Sequence, residues 1–126
     1  MAAEARKINV TRLYTDAVGE SHFLDETLEL QEANFAPPAP PMYLSSPVEA
    51  KQAVFLLLPS GYFGDLHPAP RRQQMTLVNG ELEVRVSDGE VRRFRPGETV
   101  LVEDTSGKGH ATKSINGESV VFVVQL

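Results

Sequence analysis

The chain has 126 residues, with 12 basic and 17 acidic side chains and a formal net charge of −5 at neutral pH. This length suits one domain with its own core, and no basic run exceeds two residues, which argues against a nucleic-acid or anionic membrane surface. The absence of cysteine excludes disulfides, thiolate metal sites and cysteine nucleophiles. The apolar stretches are too short to span a bilayer and the N-terminus does not resemble a secretory signal, so we expect a soluble cytoplasmic domain.

The first half of the chain predicts two strands, an irregular arm and a buried strand. Lys7–Tyr14 and His22–Gln31 alternate as strands do, although residues 24–33 can equally be interpreted as one or two turns of helix. Ala36–Pro47 holds five of the nine prolines and, because proline lacks the N–H that a ladder needs, predicts an extended loop or arm. Ala53–Leu58 is continuously apolar, which predicts a short strand buried on both faces.

The second half predicts six short strands separated by tight turns. Asn79-Gly80, Asp88-Gly89 and Asn116-Gly117 are typical of hairpin turns. The predicted strands, in chain order, are Gln73–Val78, Glu81–Val86, Val91–Arg95, Thr99–Val102, His110–Ile115 and Ser119–Gln125. Many short strands joined by tight turns in a small domain predict an all-β barrel or jelly roll.

Polar side chains share a face with apolar ones in the segment that begins at His67. Residues two apart share a face of a strand, so the odd-numbered positions from 67 to 77 lie on one side. This side carries His67, Arg71 and Gln73, and it ends in two large apolar residues. If it faces the barrel interior, the imidazole and the amide need hydrogen bonds, water or a metal.

His110 begins a second polar strand face, after a loop with two glycines. Two imidazoles and the Gln73 amide oxygen can serve as three metal ligands, with open positions for water or substrate. Spacing alone favours the simpler interpretation, in which His67 and His110 are unrelated hydrogen-bonding residues.

Glycines and polar residues around His67 follow the pattern Gly61-x₅-His67-x-Ala69-x₃-Gln73-x₆-Gly80. This pattern resembles the first motif of the cupin superfamily, G-x₅-H-x-H-x₃₋₄-E-x₆-G. Alanine stands in place of the second histidine, and glutamine in place of the glutamate. The resemblance covers roughly the stretch from Ala53 to the C-terminus and is to small bacterial single-domain cupins of unassigned function.

The region from Gly97 to Ser114 is similar to the second cupin motif, G-x₅-P-x-G-x₂-H-x₃-N. Gly97 and His110 match, while Glu103 occupies the proline position and Ser114 that of the asparagine. The Asp104–Gly109 turn is two residues longer than in the motif. The order and the strand setting of the two motifs therefore agree with the superfamily.

The resemblance implies an all-β fold of the cupin type, a double-stranded β-helix closed as a jelly-roll barrel (RmlC-like). Residues 53–126 would form the barrel core, and residues 1–52 the N-terminal strands and a Pro-rich arm packed on it, in one structural domain. Because the extended segment Pro37–Pro47 has little to bury against within its own barrel, we expect a homodimer whose partner sheet covers it.

The resemblance also implies a divalent metal, namely iron, manganese, nickel or zinc, held by histidines and a glutamate. Of these ligands, the chain retains two histidines, His67 and His110. Gln73 would be a neutral ligand in place of the glutamate, and it would hold a hard cation less strongly than a carboxylate does. Three acidic residues are candidates to supply the missing charge: Asp65, Glu103 and Asp104.

We therefore expect a small cupin that binds a small polar or anionic molecule at this metal, inside its barrel. Arg71 would orient the ligand; the alternative is that Arg71 forms a surface salt bridge. Oxygenases, isomerases, dehydratases and lyases share the fold, so the reaction, and whether there is one, stay open. The alternative is a metal-free binding or sensing module, or an acid–base enzyme with His67 and His110 as catalytic residues. His22 either enters a partner's pocket or is a satisfied strand-start histidine, and Lys108 either reaches the barrel mouth or is a loop residue.

Overall fold

A computed structural model describes residues 6–126, which form ten β-strands. They are, in chain order, β1 (Arg6–Thr15), β2 (Ser21–Ala33), β3 (Met42–Leu44), β4 (Gln52–Leu58), β5 (Gln73–Asn79), β6 (Leu82–Val86), β7 (Val91–Phe94), β8 (Thr99–Val102), β9 (His110–Ser114) and β10 (Ser119–Gln125). The helical interpretation of residues 24–33 is wrong, because they belong to β2 and pair with β1 and β3. Within residues 6–126 there is no helix of the length and apolarity needed to cross a membrane.

The strands form two sheets that face each other across the core. The larger sheet has seven strands in the order β3-β2-β1-β8-β5-β10-β4, and the smaller has three in the order β7-β6-β9. Among the described strands, β1 and β8 pair in parallel and the other pairs are antiparallel. This is an all-β jelly roll of the predicted kind.

The core is built from the inward faces of both sheets. Its main members are Leu13, Phe23, Leu58, Leu77, Val121 and Val123 from the larger sheet and Leu82, Val84, Val86 and Phe94 from the smaller one. On β6 the strict alternation of the sequence is retained, with apolar residues buried and Arg85 exposed. Alternation puts every second residue on the same face, so one face of each strand supplies the core.

The N-terminal strands are hydrogen-bonded into the larger sheet. β1 pairs with β8, with Leu13 opposite Val102, and both side chains are buried. Part of the Pro-rich segment forms β3, a three-residue edge strand paired with the end of β2. An edge position suits this segment, since prolines flank it and cannot donate to a ladder.

The prediction that Ala53–Leu58 is buried on both faces is wrong. Among the residues of β4, only Leu58 is buried and the others are exposed. β4 is the last strand of the larger sheet, so one long side of the strand has no neighbour in the sheet order and its outward face is uncovered. A continuous apolar run is the same whether a strand lies in the middle of a sheet or at its edge, so the sequence cannot distinguish the two positions.

Candidate functional site

A cavity of about 170 Å³ lies inside the barrel. Most of its lining is apolar, from residues that include Leu56, Leu58, Met75, Leu77, Val84, Val100 and Val121. Its polar lining includes His67, Gln73, His110 and Thr112. A concave apolar site with a few convergent polar groups is the usual form of a small-molecule pocket.

His67 and His110 are brought together by their own backbones. The N–H of each donates to the carbonyl oxygen of the other, at 3.1 Å and 3.0 Å, in an isolated antiparallel bridge. The two imidazole rings consequently lie with their centroids 5.3 Å apart. The interpretation of the two histidines as unrelated residues therefore does not describe the structure.

Both rings are held at Nδ1. His67 Nδ1 lies 2.8 Å from the backbone carbonyl oxygen of Asp65, and His110 Nδ1 lies 2.6 Å from Asp104 Oδ2. A carbonyl oxygen and a carboxylate accept hydrogen bonds, so in each ring Nδ1 carries a proton. Nε2 accepts a hydrogen bond when the ring is neutral and donates one when the ring is protonated. Neither Nε2 atom has a hydrogen-bond partner within residues 6–126, which leaves one unpartnered ring nitrogen on each of these two cavity-lining histidines.

Asp104 supports His110 from inside the protein. The residue is fully buried, and its Oδ1 atom has no hydrogen-bond partner in the described part of the chain. Because a buried carboxylate is costly unless it is paired, the His110 ring is the side chain that Asp104 needs in order to remain in the interior. Asp104 was among the sequence candidates for a metal ligand, and the structure places it behind His110 rather than in the cavity lining.

Gly109 allows the two histidine backbones to approach each other. Its φ is +75°, and a Cβ atom there would lie 2.0 Å from the backbone carbonyl group of His67. The carbonyl oxygen of Gly109 also accepts a hydrogen bond from Ser21 Oγ at 2.6 Å, which ties the loop to the start of β2. The glycine before His110 is therefore part of the site, a role that only the close contact reveals.

Gln73 is buried and lines the cavity, as the alternation from His67 predicted. Its amide is tethered on both sides: Oε1 accepts a hydrogen bond from Gln125 Nε2 at 3.3 Å, and Nε2 lies 3.9 Å from Met75 Sδ. The Gln73 side chain thus has a set orientation at the cavity wall.

Other sequence candidates lie away from the cavity. Arg71 is exposed and is not part of the cavity lining. Asp65 is exposed as well and contributes its backbone carbonyl to His67. Glu103 forms salt bridges with Arg12 at 3.3 Å and with Arg72 at 2.9 Å. Of the predicted site residues, the structure therefore brings His67, Gln73 and His110 to one cavity.

The donor set fits some metals better than others. Within residues 6–126, no three His, Asp or Glu side chains are grouped as a metal site. Two imidazoles suit zinc, nickel, copper or iron, whereas manganese prefers oxygen ligands. The hydrogen bond at each Nδ1 is the arrangement that orients metal-ligating histidines, so the His67–His110 pair fits a borderline metal. The metal itself stays a prediction.

His22 and Lys108 are engaged elsewhere. His22 Nδ1 and Nε2 each lie 2.7 Å from a carboxylate oxygen, of Asp88 and Asp16 respectively, and Lys108 Nζ lies 2.6 Å from Glu20 Oε1. The hydrogen bond to Asp16, followed by the one to Asp88, raises the pKa of His22. In this chain both residues serve structural contacts.

No family model matches the sequence, and no curated protein matches it significantly. Several solved structures resemble the fold, and three of them illustrate the similarity to this chain. The cupin domain of Schizosaccharomyces pombe Cnp3 is 12% identical with a TM-score of 0.50, and the match covers 98% of this chain and 83% of that domain. A putative ethanolamine utilization protein, EutQ, of Salmonella typhimurium is 14% identical with a TM-score of 0.47, and the match covers 98% of this chain and 97% of that one. Protein NMB1881 of Neisseria meningitidis is 20% identical with a TM-score of 0.49, and the match covers 77% of this chain and 83% of that one.

At these identities a structural likeness carries the fold and nothing further. The match to the Cnp3 domain spans nearly the whole chain, and it agrees with the two-sheet architecture described above. The chain therefore has the cupin fold, as the resemblance of its motifs predicted.

Proposed function

We propose that this chain binds a small molecule in its barrel, with the Nε2 atoms of His67 and His110 contacting the polar end of the ligand. The observation that carries the proposal is the pair of Nε2 atoms without a partner from the described chain, on two histidines that line a largely apolar cavity. Polar atoms beside an apolar space gain most from a ligand that hydrogen-bonds to them and fills that space.

The cavity limits the size of this ligand. Its volume of about 170 Å³ is close to that of an engineered apolar cavity of about 150 Å³ that holds one benzene molecule. We infer a ligand with a compact apolar body, such as a single ring or a short branched chain, and one polar or anionic end. The apolar lining would contact the body, and the imidazoles together with Gln73 the polar end.

The site is also suited to move a proton. A lone pair on His110 Nε2 can accept a proton from a bound molecule, and the Asp104 carboxylate at Nδ1 then stabilises the positive ring, as it does in hydrolytic triads. His67 has a neutral carbonyl in the same position. If the protein is an enzyme, we therefore assign the proton-accepting role to His110 and a positioning role to Gln73.

A second candidate is a metal site, which the hydrogen bonds at both Nδ1 atoms favour. His67 and His110 would hold the ion, and Gln73 would need to release Gln125 to contribute its oxygen. Such an ion would supply Lewis-acid or redox chemistry to the same ligand.

The test uses substitutions that remove Nε2 and retain the donor at Nδ1. The double variant His67→Asn/His110→Asn keeps an N–H near Asp65 and Asp104, and His22→Asn is the matched control at a histidine outside the site. Small aromatic and branched carboxylates are titrated into each protein and followed by NMR. Binding to the wild type and the control, lost in the double variant, supports the proposal; binding that persists in the double variant contradicts it.

Elemental analysis of the same untagged, chelator-free samples separates the two candidates. About one equivalent of zinc, nickel, copper or iron in the wild type and the control, absent from the double variant, supports the metal site. Ligand binding by a wild type that holds no metal after reconstitution overturns the metal site and leaves the first candidate standing.

A further inference from the structure

β4 forms one edge of the larger sheet and is apolar from Ala53 to Leu58. Among the strands of residues 6–126 it pairs with β10 alone. Its large exposed apolar side chains are Val54 (47%), Phe55 (72%), Leu56 (39%) and Leu57 (51%). Successive residues of a strand point to opposite faces, so β4 presents apolar surface on both faces as well as a free backbone edge.

The other edge of the same sheet is protected against pairing, and β4 is not. β3 has three residues, follows two prolines, and has the Arg6 guanidinium 4.3 Å from the centre of the Tyr43 ring. β4 has seven residues and contains neither a charged residue nor a proline. Short strands, charges and prolines are the devices that prevent edge pairing, so their absence from β4 is consistent with an edge that is covered in the working protein.

The apolar surface extends beyond β4 to its neighbour. The Phe55 ring lies 4.9 Å from the ring of Phe122 on β10, and Leu57 pairs with Val120 on the same strand. Alternation places these four side chains on the outward face of the sheet, opposite the cavity-lining residues Leu56 and Leu58.

A second copy of this chain meets the requirements of such a surface. The partner must offer an unpaired strand without charge and with apolar side chains on both faces, and β4 itself has these properties. Two identical strands can pair antiparallel about a two-fold axis, which makes a closed and self-complementary interface. A charged or proline-rich partner segment would instead bury unpaired charge or leave the edge unbonded.

We propose that β4 is the dimer interface of this protein, where the β4 strands of two copies pair antiparallel and join their sheets. The interface also bears on the cavity, because Leu56 and Leu58 form part of its wall and the partner would cover the exposed side of Leu56. This assigns the expected homodimer to β4 and not to the Pro-rich arm.

Light scattering after size exclusion tests the assignment with two matched variants. Phe55→Asp places a charge on β4, and Phe35→Asp places the same charge at another exposed phenylalanine (67%), next to the Pro-rich segment. We expect twice the chain mass of 13.8 kDa for the wild type and for Phe35→Asp. Phe55→Asp should raise the dimer dissociation constant by about 100-fold or more and retain the circular dichroism spectrum of the fold.

Hydrogen exchange on the wild type provides a second readout should Phe55→Asp fail to fold. Amides in β4 should exchange more slowly as protein concentration rises, while those in β3 should not change. A wild-type mass of 13.8 kDa at all concentrations, a dimer that survives Phe55→Asp in a folded protein, a dimer lost in Phe35→Asp, or concentration-independent exchange in β4 would each overturn the proposal.

Discussion

Two histidine sites of this chain differ in how many ring nitrogens the protein occupies. At His22, both nitrogens face carboxylates, of Asp16 and Asp88, and the ring joins the turn after β1 to the turn before β7. At His67 and His110, the protein occupies Nδ1 of each ring and leaves Nε2 beside the cavity.

This difference separates a structural histidine from a candidate functional one. Hydrogen bonds to Asp16, and then to Asp88, raise the pKa of His22, so these two carboxylates favour the cationic ring, which donates from both nitrogens and completes a local ion cluster. The paired histidines instead have one nitrogen held by the protein and one nitrogen without a partner in the described chain, which is the arrangement needed to bind a ligand, a metal or a proton.

The largest expected effect comes from Gly109→Ala, which breaks the His67–His110 pair without altering a ring. The new Cβ would overlap the His67 backbone, so we expect the free energy of unfolding to fall by about 3–5 kcal/mol. Gly61→Ala is the control, since its φ is +80° and no atom lies within 4 Å of its Cβ position. The free energy of unfolding of Gly61→Ala should fall by about 1–2 kcal/mol, from backbone strain alone. Equal losses in urea unfolding would show that close contact at Gly109 is not the cause.

A smaller loss of stability is expected for His110→Ala, which leaves the buried Asp104 carboxylate without its hydrogen-bond partner. We expect the free energy of unfolding to fall by about 3 kcal/mol, because a buried charge without its partner is strongly destabilising. His110→Asn should lose about 1 kcal/mol, since its amide can donate to the carboxylate in place of Nδ1. Urea unfolding of both variants checks this ranking, which would be contradicted if the alanine and asparagine variants were equally stable.

The His22 site should show itself in the pH dependence of stability. The pKa of His22 is raised in the folded protein. The stabilisation that His22 provides is therefore complete below about pH 6.5, its ordinary pKa, and disappears as pH rises through the raised pKa. The pKa of Asp16 is lowered by His22, and that of Asp88 is lowered by the Glu90 backbone N–H and then by His22. The stabilisation that these two carboxylates provide is complete above about pH 3.8, their ordinary pKa, and is lost as pH falls through their lowered pKa values.

The Tm difference between the wild type and His22→Gln should therefore be largest between about pH 4 and pH 6.5 and shrink at alkaline pH. Thermal unfolding across this range is the measurement. A difference that grows from pH 6 to pH 9 would contradict the ion cluster.

The smallest effect on stability is expected for His67→Ala, although it removes one of the two proposed ligand contacts. His67 is exposed and its Nδ1 partner is a backbone carbonyl that water can reach, so the loss should stay below about 0.5 kcal/mol. Ligand binding should weaken markedly in the same variant, as measured by NMR titration. A variant that binds as tightly as the wild type would remove His67 from the site.

The turn residues and the alternation of the sequence determined most of the strands. Thr99–Val102 and Ser119–Gln125 have the predicted bounds, and a glycine-containing turn precedes each of them. Alternation likewise predicted that Gln73 faces inward, since it lies within β5 with Met75 and Leu77.

Tertiary structure decided the features that depend on neighbours distant in sequence. Arg71 does not follow the alternation because β5 begins at Gln73, and strand alternation does not extend into the loop before it. The edge position of β4, the burial of Asp104 behind His110 and the need for glycine at 109 each arise from contacts across the fold. Local sequence determines which residues can form a strand or a turn, whereas the packing of strands determines which surfaces are covered and which polar atoms are left without a partner.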